Sequence, residues 1–381
     1  MIIGIDGNEA NVKGRVGISE YAFRLLHEFY SFRPGGIKFI IYLKNPPLED
    51  LPAKSDFWQY HIVWPSTLWT QIGLPFDLFV HRPRPSVFFS PTHYAPRFSP
   101  VPTIISVMDL SYIHFPDLFN GADLWQLRNW TQYSVKQAKK IFTISKASKN
   151  DIINEYHVAE ERVVVTYPGV KQVTGLKPEL YAMKQLQDKY NLSEHYILFV
   201  GTIQPRKNIE RLIEAFAKTL NQAEQNSEPR TIKDLQLLIV GKKGWLYEEI
   251  LKAPEKFGVE NSVKFLQFVS EEELHQLYNH ALFFILPSLY EGFGLPVLEA
   301  MKYECPVITS KVSSLPEVAG DAALYIDPED TNDIMQKMKK LLNDKKLRNE
   351  LIEKGRKQVQ KFSWEKTARE TLKVLEEVAN Q

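Results

Sequence analysis

The sequence predicts an α/β protein of two domains, each built on a doubly wound parallel sheet. Short apolar runs alternate with segments of helical period along most of the 381 residues, a rhythm typical of parallel sheets covered by helices on both faces. A chain of this length is too long for one ordinary hydrophobic core. Residues 171–190 are polar and include Gly175 and Pro178, so we expect the domain boundary there. The predicted segments are an N-terminal domain, a C-terminal domain and a final helix, residues 1–175, 176–362 and 363–381.

The composition is that of a soluble globular protein, with 44% hydrophobic and 24% charged residues. A formal net charge of +1 gives no reason to expect nucleic acid as a partner. No window approaches the roughly 18 continuous apolar residues of a membrane-spanning helix, and the first apolar run is too short for a signal peptide. The only cysteine, Cys305, is expected to be buried, which fits a reducing cytoplasm.

The amino-terminal half is predicted to begin with strand Met1–Ile5, a loop with several glycines and helix Ile18–Phe32. The loop lacks the GxGxxG spacing of dinucleotide-binding proteins, which weakens a dehydrogenase interpretation. A glycine loop that opens a helix can still bind an anion, although it can also be a simple tight turn. The buried face of the helix is expected to comprise Tyr21, Leu25, Leu26 and Phe29.

Further strands and helices follow in alternation. The predicted strands are Lys38–Leu43, Tyr60–Val63, Phe88–Ser90, Thr103–Val107, Ile141–Ile144 and a last one within residues 162–170. Helices are expected at Gly121–Lys139 and, capped by Ser145, up to Tyr156. Leu68, Trp69 and Ile72 fall at helical spacing. Such spacing of apolar residues more often indicates core packing than ligand contact.

Two loops at the carboxyl ends of these strands carry polar side chains. His93 and Tyr94 follow the strand that ends at Ser90, at the sheet edge where open α/β sheets bind ligands, so we expect them to face a bound ligand, the acceptor in the case of a group-transfer enzyme. Asp109 stands just past strand Thr103–Val107 and is expected to point into the same crevice. A capping or turn role is an equal alternative for Asp109.

The second half repeats the alternation. Its predicted strands are Tyr196–Val200, Leu235–Val240, Val263–Phe268, Leu282–Leu286, Pro306–Ser310 and Leu324–Ile326. Its predicted helices are a short one ending near Tyr190, one after Lys207, one from Glu271, others between Asp330 and Phe362, and an amphipathic terminal helix opened by Ser363.

Residues 286–301, LPSLYEGFGLPVLEAM, form the most informative stretch. They follow a buried strand and are predicted to turn into a helix, with Leu295 or Pro296 in the first turn, because proline has no N–H to lose there. Gly292 and Gly294 leave backbone N–H groups bare, and the positive end of the helix dipole points at the same space. This arrangement predicts an anion site.

Two glutamates flank that glycine loop. Glu291 lies on the loop, and Glu299 lies near the third or fourth helical position, so both carboxylates can face a ligand whose phosphates rest on the loop. Phosphate and polyol groups would suit them. The alternatives are structural: Glu291 as a solvated turn residue and Glu299 as a partner of the helix dipole.

A pair of cations follows strand Tyr196–Val200. Arg206 and Lys207 stand in a loop just before a helix, where they can neutralise a bound diphosphate. Solvated surface charges are the alternative.

The string from Glu291 to Glu299, with Gly-Phe-Gly-Leu-Pro between, resembles the retaining sugar-nucleotide glycosyltransferases of family four (glycosyl transferases group 1). The resemblance covers nearly the whole chain and is strongest after residue 196. It implies the GT-B fold, in which two Rossmann-like domains face each other across a central cleft. It also implies that Glu291 contacts the donor sugar and Glu299 the ribose. The adjoining donor-binding residues would be Gly292, Phe293, Gly294 and Leu295.

Other positions take implied roles from the same resemblance. Arg206 and Lys207 match the basic segment that grips the donor phosphates. Phe268 and Val269 fall in the loop that holds the nucleotide base, and Gly17 falls in the first loop, near the diphosphate and the acceptor.

One position departs from the family pattern. Members often carry His-Asp after the strand that ends at Val107, with the histidine near the reacting sugar. Met108 replaces that histidine here, so Asp109 is the nearest matching polar group, and His114 is an alternative.

The sequence therefore predicts a retaining hexosyltransferase of polysaccharide biosynthesis. The donor would be a nucleoside diphosphate sugar, with UDP-glucose favoured and GDP-mannose next, and the acceptor a glycan or a lipid-linked saccharide. No cofactor is implied, and no metal either, because the sequence contains no Asp-x-Asp and its Cys and His residues show no ligand spacing. We expect a cytoplasmic location with peripheral association at the inner face of the membrane. The alternatives are a sugar-nucleotide epimerase, a phosphorylase and a catalytically silent carbohydrate-binding protein.

Overall fold

The computed structural model describes two compact units. The described residues are 1–119, 121–170, 180–225 and 234–381. The first unit comprises Met1–Gly169 with Phe362–Gln381, and the second comprises Val170–Lys361. The predicted boundary at residues 175 and 176 lies outside the described residues, as do Gly175 and Pro178.

Seven parallel strands form the sheet of the first unit, in the order β3-β2-β1-β4-β5-β6-β7. They are β1 Ile2–Asp6, β2 Lys38–Leu43, β3 Trp58–Ile62, β4 Val87–Ser90, β5 Thr103–Ser106, β6 Lys140–Thr143 and β7 Val163–Val165. Both faces of the central strands are buried: Ile104 and Phe142 pack into one core, and their neighbours Ile105 and Ile141 pack into another. Burial on both faces explains why these strands read as continuous apolar runs.

The helices of the first unit lie on both sides of this sheet. They are α1 Ile18–Phe32, α2 Leu74–Val80, α3 Ser111–His114, α4 Gly121–Gln137, α5 Lys146–Tyr156 and the terminal α14 Trp364–Ala379. The predicted buried face of α1 is confirmed, since Tyr21, Leu25, Leu26 and Phe29 are all buried. Ser145 caps α5 as predicted, because its hydroxyl accepts a hydrogen bond from the Ser148 N–H at 3.0 Å.

The terminal helix α14 completes the core of the first unit. Trp364, Leu372 and Leu375 are buried in the same core as α1, and the Trp364 ring packs edge-on against Tyr21 at 5.9 Å. Gly169 lies so close to the start of this helix that a Cβ on it would stand 2.1 Å from the Trp364 nitrogen.

The segment before α2 differs from the prediction. Trp69 is buried, whereas Leu68 and Ile72 are 52% and 53% exposed. Leu68 adopts a left-handed conformation with φ 50°, and residues Trp69–Gly73 form a wide π-helical turn. The wider turn breaks the 3.6-residue period, so the expected core packing of Leu68 and Ile72 is wrong.

Six parallel strands form the sheet of the second unit, in the order β10-β9-β8-β11-β12-β13. They are β8 Tyr196–Val200, β9 Gln236–Val240, β10 Val263–Leu266, β11 Phe283–Leu286, β12 Val307–Ser310 and β13 Ala323–Ile326. The helices are α6 Leu180–Tyr190, α7 Ile209–Gln225, α8 Glu248–Lys256, α9 Glu271–His280, α10 Leu295–Lys302, α11 Leu315–Ala319, α12 Thr331–Asn343 and α13 Lys345–Val359. Helix α8 is missing from the sequence prediction; Pro254 lies inside it and masks its helical pattern.

The strand order reverses once in each sheet, between β1 and β4 in the first and between β8 and β11 in the second. Loops that leave two such strands turn to opposite faces of the sheet and open a crevice at the carboxyl edge, where ligands bind in open α/β sheets. The predicted site loops follow strands at or beside this point, except the loop with Phe268 and Val269, which follows the edge strand β10. Within the described residues, no helix combines the length and the apolar character needed to cross a bilayer.

Candidate active site

The reversal point of the second sheet joins two loops. One follows β8 and ends in a short 3-10 turn, Pro205–Lys207, and the other follows β11. The backbone N–H of Leu289 in the second loop donates to the Arg206 carbonyl in the first at 2.9 Å. The two loops predicted to bind the donor are therefore held against each other.

Glu291 is the centre of this contact. Its Oε1 accepts from the Lys207 ammonium at 2.5 Å, and its Oε2 lies 3.2 Å from the Arg206 guanidinium. The Ser288 hydroxyl donates to Oε1 at 2.6 Å. Glu291 is 6% exposed and Lys207 is 9% exposed, so the alternatives of a solvated turn residue and solvated cations are wrong in this structure.

Burial and charge act on Glu291 in opposite directions. Burial by itself would raise the pKa of its carboxyl group, but Lys207 and Arg206 lower that pKa to about 2. The carboxylate is therefore ionised at neutral pH and is a weak base. Two cations beside one carboxylate give this group of three side chains a net positive charge, which suits an anionic ligand.

Several polar residues that the sequence did not single out hold these loops. The Ser313 hydroxyl accepts from the Glu291 N–H at 2.9 Å, and the Ser314 hydroxyl donates to the carbonyls of Glu291 and Phe293, each at 2.8 Å. Asn208 adopts a left-handed conformation and donates to the Pro287 and Pro328 carbonyls. Of these residues, only Asn208 could have been found from the sequence, because it directly follows Lys207. Ser313 and Ser314 act through contacts that are distant in sequence.

The glycine loop leads into α10 as predicted. Gly294 has φ 104° and precedes Leu295, the first residue of the helix, with Pro296 second. A Cβ at Gly294 would lie 2.7 Å from the Leu315 Cδ2, so both the backbone conformation and the close packing require glycine. Gly292 and Phe293 are buried beside it.

Glu299 lies one turn into α10, at the fifth helical position rather than the predicted third or fourth. Its side chain is partly exposed, and its Oε2 accepts from the Tyr278 hydroxyl at 3.4 Å. The buried Tyr278 thus contacts the carboxylate from the side of α9.

Phe268 and Val269 lie apart from this group. They follow β10, the edge strand, which β9 separates from β8, so the ends of β10 and β8 are roughly 10 Å apart. The predicted strand Val263–Phe268 ends early, at Leu266, and the Phe268 side chain is 85% exposed. The structure therefore does not bring these two residues to Glu291, and Phe268 is open to solvent.

The candidates of the first unit lie at its own reversal point. The His93 Nε2 accepts from the Met108 N–H at 3.2 Å, which places this imidazole beside the position where the family histidine is missing. Burial lowers the pKa of His93, and the nearby Asp109 opposes that effect. Asp109 Oδ1 accepts from the Ser111 N–H at 2.9 Å, which is the turn role of the alternative, since Leu110 is the N-cap of α3.

The remaining candidates of the first unit are Tyr94, Gly17 and His114. The Tyr94 hydroxyl accepts from the Gln126 amide at 3.4 Å. Gly17 precedes α1 with φ 56°, and nothing lies within 4 Å of a Cβ built there, so its side faces open space. His114 is 3.2 Å from Asp151, and the imidazole beside Met108 is that of His93.

Asp6 is a further candidate residue, which the sequence analysis did not name. It ends β1 at the reversal point, is 4% exposed, and accepts from the N–H and the side-chain amide of Asn8 at 3.0 and 2.7 Å. Burial raises the pKa of its carboxyl group to about 6. The available signal was an acidic residue directly after an apolar strand.

Comparison with known proteins agrees with this architecture. Residues 182–358 match the family described as Glycosyl transferases group 1. O-antigen chain mannosyltransferase B of Escherichia coli is 31% identical over 287 residues, covering 75% of this chain and 73% of that protein. Serotype-specific mannosyltransferase WbdA of Escherichia coli is 34% identical over 235 residues, 61% of this chain but 28% of that longer protein.

Among solved structures, sucrose-phosphate synthase from Thermosynechococcus elongatus superposes with a TM-score of 0.74 at 18% identity, over 99% of this chain and 98% of that one. This likeness concerns the fold, which is that of the GT-B glycosyltransferases. The chain belongs to the group 1 glycosyltransferase family and is built from the two parallel-sheet α/β domains of the GT-B fold.

Proposed function

We propose that the protein is a retaining glycosyltransferase that moves mannose from a nucleoside diphosphate donor, GDP-mannose first, to a glycan or lipid-linked saccharide of a polysaccharide. The observation that carries the proposal is the buried group of Arg206, Lys207 and Glu291 at the reversal point of the second sheet. Mannose replaces our sequence-based preference for UDP-glucose because the two relatives described above are named mannosyltransferases.

The cations supply the charge that the reaction requires. Breaking the bond between the anomeric carbon and the phosphate oxygen leaves a diphosphate with one more negative charge. Lys207 and Arg206 are already fixed by Glu291, and fixed charges stabilise a developing charge without reorganising. The N-terminus of α10 lies at the end of the same loop, and the positive end of its helix dipole adds to this stabilisation.

The state of Glu291 favours a front-side substitution. A double displacement needs a carboxylate nucleophile on the face opposite the leaving group. Glu291 is a poor nucleophile because three donors occupy its oxygens and its pKa is about 2. We infer that the leaving phosphate oxygen takes the proton of the acceptor hydroxyl, while the acceptor oxygen bonds to the same face of the anomeric carbon. Glu291 then positions the sugar hydroxyls.

A release assay tests this function. The protein is incubated with GDP-mannose, UDP-glucose and other nucleotide sugars, with and without mannose-terminated acceptors, and free nucleoside diphosphate is measured. We expect release that depends on acceptor and is fastest with GDP-mannose, and a product whose NMR spectrum shows the α configuration of the donor. Epimerised donor without release would indicate an epimerase, and consumption of inorganic phosphate a phosphorylase.

We also propose peripheral association with an anionic lipid surface, through an apolar patch of the first unit. The patch is defined by Trp64, Leu68, Ile72, Phe76, Phe79 and Val80, which are 85, 52, 53, 66, 50 and 58% exposed. Helix α2 buries Leu74 and Leu78, so it is apolar on its outer side as well, and contiguous exposed patches of this kind mark interaction sites. Arg82 and Arg84 follow directly, and their positive charge beside the patch favours an anionic surface.

Vesicle co-sedimentation tests whether this patch binds lipid. We expect the protein to sediment with phosphatidylglycerol vesicles and less with phosphatidylcholine vesicles. The double variant Phe76→Ser/Phe79→Ser should lose most of this binding, whereas the control Trp125→Ser, which removes a 62% exposed tryptophan on α4, should keep it. Equal sedimentation of both variants would rule the patch out as the lipid contact.

A further inference from the structure

Three potential metal ligands meet beside the apolar patch, in a part of the first unit that the proposed sugar transfer does not use. His61 lies on β3, Asp77 on α2, and His81 directly after α2. One ligand atom from each residue lies within 4.8 Å of the other two. Among the described residues this is the one group of three or more such side chains.

The Asp77 carboxylate is only half satisfied. Its Oδ1 lies 2.8 Å from the His61 Nε2, but its Oδ2 is buried without a hydrogen-bond partner among the described residues. A buried carboxylate oxygen without a partner is costly. A cation held between the carboxylate and the imidazoles would satisfy it.

The nearby arginines do not neutralise this carboxylate. Arg82 donates to the carbonyls of Phe79 and His81, and Arg84 donates to the Phe79 carbonyl. Their guanidinium groups are thus turned to the backbone at the end of α2, and the Asp77 oxygen is left for another positive group.

The two imidazoles are arranged as a pair of ligands. The rings of His61 and His81 have their centroids 4.1 Å apart, with an angle of 37° between the planes. Two imidazoles this close together can bind one metal ion. Two imidazoles and one carboxylate form a donor set suited to Zn²⁺, which binds such ligands at about 2.0–2.2 Å.

We propose that His61, Asp77 and His81 form a Zn²⁺ site, with a water as the fourth ligand. When zinc binds, His61 carries its proton on Nδ1, so that its Nε2 lone pair faces the metal. The ion links His61 on β3 to Asp77 and His81, which lie one helical turn apart at the end of α2. It therefore stabilises the segment that carries the apolar patch. No residue of the site belongs to the candidate active site, so the proposal stands apart from the proposed transfer.

The test uses the full-length protein stripped with EDTA and desalted. Zinc is titrated against a chromophoric chelator, and thermal unfolding is followed with and without zinc. We expect one tightly bound zinc per chain and a rise in Tm on loading, because a ligand that binds only the folded state stabilises it. Cobalt, used in place of zinc, should give the intense visible absorption of a tetrahedral site.

Matched variants assign the ion to this site. His81 is exposed, so His81→Ala should leave the fold intact, weaken zinc binding at least tenfold and abolish the Tm rise. Asp77→Asn keeps an acceptor for His61 and should also weaken binding. The control His114→Ala removes another histidine paired with an aspartate, Asp151, and should bind zinc like the wild type. Wild-type protein without a tight site, or undiminished binding by His81→Ala, would overturn the proposal.

Discussion

Glu291 illustrates how a single residue can determine a site. Its burial alone would favour the neutral acid, yet the cations on the neighbouring loop keep it charged. The same ion pairs that fix the carboxylate also hold Arg206 and Lys207 in place before any ligand arrives. At this scale, stability and function are coupled, and substitutions must be designed to separate them.

Lys207→Ala should reduce turnover by more than tenfold, since removing one preorganised charge costs roughly 2–4 kcal/mol of transition-state stabilisation. It should also lower Tm, because Glu291 remains buried with only Arg206 opposite it. The exposed Lys345→Ala is the control. The double variant Lys207→Ala/Glu291→Ala should regain part of the stability but not the turnover. Turnover of Lys207→Ala within about threefold of the control would contradict the assignment.

Glu299→Ala and Glu291→Ala should differ in kind. If Glu299 contacts the ribose, its contact is equal in the ground and transition states, so its loss raises the KM for donor. If Glu291 contacts the sugar, its loss mainly lowers kcat. Steady-state kinetics with saturating acceptor, below the Tm of each variant, measures both constants. Equal increases in KM with unchanged kcat would show that the two roles are not divided.

Asp6 should make stability depend on pH. Its pKa is about 6 in the folded protein against an ordinary 3.8, so the folded state holds the proton more tightly. The free energy of unfolding should therefore fall as pH rises through that interval, by an amount on the order of 3 kcal/mol. Urea unfolding of Asp6→Asn should show a smaller fall than the wild type. The exposed Asp56→Asn should match the wild type, and a parallel fall in Asp6→Asn would contradict this origin.

At the scale of elements, the sequence predicts regular structure better than it predicts contacts. Buried strands such as β8 are apolar runs in the sequence because both of their faces are buried in the protein. The π-helical turn after Leu68 and the helix around Pro254 break the local period and are missed. Ser313 and Ser314 act on Glu291 from a loop after β12, and no local pattern announces such a contact. Asp6 had a local signal, its place directly after an apolar strand, but its burial is a tertiary property.

Gly169→Ala should destabilise the packing of α14. The added methyl group would overlap the Trp364 nitrogen, so the start of the helix must move, and overpacking of this kind costs about 1–3 kcal/mol or more. Thermal unfolding followed by circular dichroism measures the effect. Gly35→Ala is the matched control, because nothing lies within 4 Å of a Cβ there. Equal Tm values for the two variants would mean that the contact is not tight.

At the scale of the whole molecule, the sequence predicts two doubly wound sheets, and the structure contains one in each unit. Alternating strands and helices are sufficient for that prediction. The final helix is a member of the first unit even though residues 170–361 separate it in sequence from the rest of that unit.

Sugar transfer should survive a strong chelator. In the proposed reaction, Arg206, Lys207 and the N-terminus of α10 would meet the charge of the leaving diphosphate, and Asp-x-Asp does not occur in the sequence. With a water-soluble acceptor, the rate of transfer in EDTA should therefore equal the rate without EDTA. The Tm should fall if EDTA removes zinc from His61, Asp77 and His81. Loss of turnover in EDTA that magnesium or manganese restores would show that the donor needs a metal.

The membership of α14 in the first unit has a consequence for synthesis on the ribosome. Trp364, Leu372 and Leu375 supply core surface to a sheet whose last strand, β7, is translated about 200 residues earlier. At about 5–20 residues per second, the nascent first unit waits roughly 10–40 s with that side of its core uncovered. The second unit has its complete sequence by then, so it can finish folding before the first. The face of α1 that α14 later covers is exposed during this interval, and a chaperone would bind there.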